Sequence, residues 1–220
     1  RILNMCSYHG FRDKVHEVQI DCDWTKTTES TYFYLLDEMR DILHTQGIIL
    51  SATIRLHQLR TAAPPVDRGV LMLYNTGSLK HPETKNSILS YVDAMPYLKR
   101  INYSLPLDYA FPNFGWGVWF RNNDFQAILH QKDYSDENLY EQTDSTHYRV
   151  IKNHYNEGHW LIYGDIIRKE ISDMAVIEQI KQHLPLSEKN SIIMYHLDEN
   201  NLKNLDDYEI STFYSRPAAE

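Results

Sequence analysis

The stretch Gln19-Ile20-Asp21-Cys22-Asp23-Trp24-Thr25 decides how the rest of the chain is read. Side chains alternate along a strand, so Gln19, Asp21, Asp23 and Thr25 share one face while Ile20, Cys22 and Trp24 share the other. Two carboxylates are thereby aimed the same way, and Cys22 is expected on the buried side. Neighbouring carboxylates resist ionising together, and a mostly apolar strand keeps such a pair where a ligand, a metal or a positive neighbour answers it. The competing reading is a solvated strand end whose aspartates bind loop amides.

On the amino side, residues 1–14 show no sustained period. On the carboxyl side, the polar run Thr25 to Ser30 opens a helix. Its apolar positions Tyr32, Leu35, Leu36, Met39, Ile42 and Leu43 recur at three and four, with Glu29 near the positive end and Gly47 just past the last turn. Gly47 to Gln58 then alternates cleanly, Leu50, Ala52, Ile54 and Leu56 against Ser51, Thr53, Arg55 and His57. A strand reached through a crossover helix is normally covered on both sides. Its polar face therefore predicts a barrel lumen, with Arg55 and His57 at the carboxyl-terminal mouth near Asp21 and Asp23.

Further along, Arg68 to Asn75 reads as a strand buried on both faces, ended by Asn75-Thr76-Gly77. A helix is predicted over 84–101 with Ile88, Leu89, Val92 and Met95 inward and a break near Pro96. Leu105 to Pro112, which contains Asp108, has strand composition interrupted by two prolines. Phe114 to Phe120 is an aromatic strand whose glycines let the backbone approach something closely. Trp116 and Trp119 suit either sugar stacking or core packing. Residues 121–160 read as a long surface insertion, and 166–171 carry conflicting helix and strand signals. Ser172 and Asp173 cap a helix through Leu184. Ser191 to Leu197 is the last strand, followed by a short helix at 200–204 and an apolar piece at 210–214. The pattern predicts parallel strands near 15–24, 48–57, 69–75, 114–120 and 191–197 with helices outside.

The 220 residues suit one barrel domain over 1–220, with no linker composition dividing it. The net charge of -8 and the lack of a basic stripe argue against nucleic acid, and no apolar run reaches the length of a bilayer span. Cys6 and Cys22 lack CxxC or Cys/His metal spacing, and the main reading includes no metal and no cofactor. The compartment, cell envelope or cytoplasm, is not set by these features.

Asp21-x-Asp23 at one strand end and Met72-x-Tyr74-Asn75 at another resemble the signature pair of the family 18 glycoside hydrolases, the chitinase-like proteins. A longer run, including Ser51-Ala-Thr-Ile-Arg-Leu-His-Gln58, Pro64-Pro-Val-Asp-Arg-Gly69 and Leu105-Pro-Leu-Asp108, is similar to a bacterial barrel family of no established reaction, often seen in Bacteroidetes. The resemblance implies an α/β fold of the (β/α)8 TIM-barrel type. It puts Asp21 on the fourth barrel strand, so the sequence is expected to start about three strands late. A missing segment or self-association would then cover the strand edge.

In the hydrolase motif Asp-x-x-Asp-x-Asp-x-Glu, the last two aspartates match Asp21 and Asp23. The glutamate that acts as general acid falls on Thr25, and the first aspartate on Val18. Tyr74 matches the tyrosine that contacts the substrate, while Asn75 stands in place of an aspartate. The resemblance thus implies Asp21, Asp23 and Tyr74 as the catalytic positions, with Arg55, His57, Asn75, Asp108, Trp116 and Trp119 as saccharide contacts. Threonine cannot be a general acid near neutral pH. The reading is a glycan-binding or carbohydrate-active barrel lacking that acid. The alternatives are a hydrolase with a relocated acid, or a metal-dependent hydrolase using Asp21, Asp23, His57 and Asp108.

Overall fold

A computed structural model describes residues 1–99, 101–130, 133–203 and 205–216. The chain runs α1 (Ile2–Tyr8), β1 (Glu17–Ile20), α2 (Glu29–His44), β2 (Ile49–Arg55), β3 (Arg68–Met72), α3 (Tyr91–Leu98) and β4 (Leu107–Pro112). There follow β5 (Gly115–Arg121), β6 (Asp124–Leu129), β7 (Tyr140–Gln142), β8 (His147–Val150), β9 (His154–Asn156), β10 (His159–Leu161) and β11 (Ile166–Ile171). The chain closes with α4 (Met174–Lys181), β12 (Ile192–Tyr195), α5 (Glu199–Leu202) and α6 (Asp207–Tyr214). Position 204, the end of the expected helix at 200–204, lies outside the described residues, as does position 100.

The chain divides into two compact units. One comprises Arg1–Met72, the segment ending at Ala110, and Ser187–Ile193; the other comprises Leu73–Lys99, Phe111–Leu186 and the segment from Met194 on.

The first unit is built on the sheet with strand order β1-β2-β3-β4-β12. Neighbours from β1 to β4 are parallel, with Gln19 opposite Ser51, Thr53 opposite Val70 and Val70 opposite Asp108. Tyr109 donates its N–H to the Ser191 carbonyl at 3.0 Å, which brings in the start of β12. The strand β2 is buried on both faces, including its polar Ser51 and Thr53, as the crossover reading required. Helix α2 packs on β2 through a narrower stripe than expected: Tyr32, Leu36 and Leu43 are buried, while Leu35 and Ile42 face outward. The strand β1 is shorter than the predicted 15–24, because pairing with β2 stops at Ile20. Alternation therefore lapses before Cys22, which is exposed rather than buried, and only Trp24 folds back into the core against Tyr32.

The second unit contains an antiparallel sheet of order β6-β5-β11-β8-β7, together with the β9–β10 hairpin. The expected parallel strand at 114–120 is thus corrected: it is β5, paired antiparallel with β6 and β11. The cause is local. Asn122 and Asn123 both take positive φ (52° and 67°), the two-residue hairpin turn that only antiparallel neighbours can use. Trp119, Leu129, Tyr134, Tyr140, Val150, Leu161 and Ile167 form the core beneath this sheet, and about half of the 121–160 stretch is strand. The ambiguous 166–171 segment resolves as β11.

The helices of this unit are shorter than their periodicity. The expected helix over 84–101 begins only at Tyr91, capped by the Ser90 hydroxyl. Before it, Asn86 accepts the Ile88 N–H and donates to the Ile171 carbonyl, and Ser87 donates to Glu170, which holds the backbone out of helix. Asp173 caps α4 as the sequence predicts. Buried Lys181 on α4 donates to the Thr212 and Phe213 carbonyls, satisfying the carboxyl end of α6. Among the described residues, no helix is long and apolar enough to cross a membrane.

Candidate functional site

In the first unit the carboxylates lie just past the carboxyl end of β1. Asp21 accepts a 2.8 Å hydrogen bond from the Thr53 hydroxyl. Asp23 receives both Nε and Nη2 of Arg55, the last residue of β2, in a two-pronged ion pair. The parallel register levels the strand ends, which is why residues 32 apart in sequence meet here. The pair is open to solvent, Arg55 at 38% and Asp23 at 58% of side-chain exposure, so its outer edges stay accessible.

Thr25 does not reach the carboxylates as an acid would. Its hydroxyl lies 2.8 Å from that of Thr27 and 3.3 Å from that of Thr28, and its N–H donates to the Thr28 oxygen, a turn leading into α2. Beneath the pair, burial pushes the Tyr32 phenol up to about 12, with the negative charges of Cys22, Asp21 and Asp23 adding to the effect. Its hydroxyl has no hydrogen-bond partner among the described residues.

The expected set is not all assembled. His57 lies in a 3-10 turn (Leu56–Arg60) after β2 and is exposed. Asp108 is corrected more firmly: it is the second residue of β4, at the amino end, buried against Arg68 at 3.1 Å and accepting the Ser191 N–H. Its carboxylate ties strands together rather than facing a mouth. That also takes it out of any metal set with Asp21 and Asp23, and among the described residues no three His, Cys, Asp or Glu side chains are placed to hold a metal ion.

In the second unit, Tyr74 and Asn75 follow β3, with Asn75 at a positive φ of 55°. The Tyr74 ring stacks on Tyr195 (centroids 5.1 Å, planes 8° apart) and meets the edge of Phe114. Phe114 also packs near Trp116 and His196. The Trp116 indole donates its N–H to Glu170 at 2.8 Å, which fixes the ring. Trp119 is different: it is buried in the sheet core under the Arg121 guanidinium, 4.9 Å from the ring, and offers no face to a sugar. The glycines beside these tryptophans admit the protein's own atoms. A Cβ on Gly117 would fall on the Tyr134 hydroxyl, and one on Gly115 would sit 2.7 Å from the Glu170 carbonyl.

Tyr195, His196, Phe114 and Glu170 were not singled out from sequence. Tyr195 and His196 could have been, since aromatic and polar side chains at the carboxyl end of an apolar strand are where barrels carry their contacts. Glu170 gave no such signal, because its partners Ser87 and Trp116 lie 83 and 54 residues away.

Several solved structures share this fold. The spore cortex-lytic enzyme SleL of Bacillus cereus matches with a TM-score of 0.56 and 13% identity, over 100% of this chain and 52% of that one. A chitinase of Chromobacterium violaceum matches with a TM-score of 0.57 and 9% identity, over 98% and 70%. The GH18 chitinase ChiB of Flavobacterium johnsoniae matches with a TM-score of 0.52 and 14% identity, over 89% and 57%. The fold is chitinase-like. Its parallel sheet with helices is TIM-barrel-like, and the chain spans about half the length of SleL. No family model matches the sequence, and no curated protein matches it.

Proposed function

We propose that this chain is part of a glycan-binding barrel protein related to glycoside hydrolases, one that holds a saccharide without cleaving it by the family 18 route. The observation that carries the reading is the pairing of Asp23 with Arg55 beside a threonine at the acid position. Both Asp23 oxygens accept hydrogen bonds from the Arg55 guanidinium, which occupies the edge from which a proton donor would act, and Thr25 has no proton to give near neutral pH. What remains is a solvent-open set of hydrogen-bond acceptors and donors, Asp21, Asp23 and Arg55, with the buried Thr53 hydroxyl fixing Asp21, suited to neutral hydroxyl groups. In the second unit, Tyr74 and Trp116 are proposed on their own grounds as ring contacts, with Asn75 a polar neighbour. The structural neighbours named as chitinases make chitooligosaccharides the first ligands to test. The closer kinship to the Bacteroidetes-type barrel family is part of this proposal.

The test pairs turnover with binding. Chitotetraose is expected to bind without release of shorter sugars, and Arg55→Ala is expected to weaken binding about tenfold, since a hydrogen bond to a charged group contributes roughly 1.5–3 kcal/mol. Turnover by the parent chain that disappears in Asp23→Asn would show an acid at work and reverse the reading.

A further inference from the structure

The β9–β10 hairpin presents aromatic rings that the fold does not use. Tyr155 and Trp160 are directly opposite each other across the two strands, their ring centroids 4.6 Å apart. They are 73% and 46% exposed, and Tyr163, just beyond β10, is 70% exposed. The opposite face of the hairpin supplies Leu161 to the core, so burial explains only that side. Water-facing aromatic surface of this size is costly to keep unless something covers it.

The backbone under these rings is held at several points. Glu157 and Gly158 form a tight turn with positive φ (49° and 82°), and the Glu157 carboxylate accepts the His130 N–H at 2.7 Å. Arg121 donates to the Trp160 carbonyl at 2.9 Å, and Asn153 accepts the Tyr163 N–H at 2.7 Å. The Tyr140 hydroxyl is hydrogen-bonded to His154 and Asn156. Rings on a backbone pinned this way lose little freedom when a ligand arrives.

Size and charge select the occupant. Fully covering the two paired rings would bury on the order of 300–500 Å², at about 150–250 Å² each. That falls short of the roughly 800 Å² per partner of a stable protein interface. Between Asn153 and Gly164 the only acidic or basic residue other than histidine is Glu157, whose carboxylate is committed to the His130 N–H. The patch thus has flat negative ring faces, phenol and amide hydrogen-bonding groups, and a single carboxylate, at the hairpin turn and already hydrogen-bonded. A pyranose offers the complement: a face of C–H groups with partial positive charge, rimmed by hydroxyls.

We propose that the outer face of the β9–β10 hairpin, centred on Tyr155 and Trp160, is a second binding surface for a neutral polysaccharide, independent of the carboxylates at Asp21 and Asp23. The probes are glycol chitin and hydroxyethyl cellulose, cast separately into native gels. The parent chain is expected to be retarded by at least one of them, and Tyr155→Ala/Trp160→Ala to lose most of that retardation while keeping the parent's circular dichroism. Equal retardation of parent and double variant, or none of the parent in either gel, would overturn the proposal. Arg55→Ala is run alongside: retardation lost there but kept in the double variant assigns binding to the carboxylates and also overturns it. A parent that elutes as a dimer while the double variant elutes as a monomer, with neither retarded, assigns the patch to a second copy of the chain instead.

Discussion

At the scale of single residues, the orphaned Tyr32 hydroxyl gives a direct test of the packing under the carboxylates. A buried hydroxyl without a partner costs about 1–3 kcal/mol of desolvation, so Tyr32→Phe is expected to leave stability unchanged or raise it by about 1 kcal/mol, read as the urea midpoint. A loss above about 1 kcal/mol would mean that the hydroxyl has a partner. Gly117 makes the opposite case. Tyr134 is buried and held against Tyr140 and Tyr148, so it cannot yield to a new Cβ, and Gly117→Ala is expected to cost about 1–3 kcal/mol. An alanine variant as stable as the parent would show that Tyr134 can move aside. Residue by residue, the site was legible only in part. Asp21, Asp23 and Arg55 could be brought together from sequence because parallel order fixes which strand ends are level. Asp108 could not, since composition marked its strand without marking which end it occupied.

At the scale of elements, β11 carries the most polar burial and the clearest prediction. Arg168 and Glu170 pair at 2.6 Å with both side chains fully buried. The guanidinium also donates to the His81 and Pro82 carbonyls, while the Glu170 carboxylate accepts from Ser87 and Trp116. Glu170→Ala would strand that guanidinium, at an expected cost of about 3–5 kcal/mol in urea unfolding, whereas Arg168→Met/Glu170→Leu should lose much less. A single variant no worse than the double would show that the pair is not electrostatically coupled. This network also explains what sequence reading missed. The alternation of β2 and the Asp173 cap of α4 are written within a dozen neighbouring residues and were read correctly. The antiparallel sheet is made of strands as short as three residues, and its central pairing joins β5 to β11 across some 50 positions. No local window contains that period. The Asn122-Asn123 turn was its one local signature.

At the scale of the whole molecule, pH acts through buried phenols. Burial pushes Tyr103 up to about 12, and burial with the charge of Asp108 does the same to Tyr109, which is only 1% exposed. Tyr32 reaches about 12 for the reasons given above, and burial drives Tyr134 higher still. In the unfolded chain a phenol titrates near 10. A folded value above the unfolded one means that folding favours the neutral form. Its stabilisation is therefore complete below about pH 10 and lost as pH rises from there through about 12. The chain already carries a net charge of -8, so each phenolate formed adds self-repulsion in the same direction. At the acid end the sign reverses. Asp144 is held low by the Thr146 and His147 N–H groups, and Asp136 by that of Asn138, but both are fully exposed and set only a direction, stability falling as pH drops below the usual carboxylate range. The expected alkaline behaviour is a late rise in phenolate absorbance at 295 nm that coincides with loss of far-ultraviolet circular dichroism between about pH 10 and 12. Phenolate absorbance that is complete near pH 10 with the circular dichroism intact would contradict it, because Tyr109 and Tyr134 would then be ionising inside the folded protein.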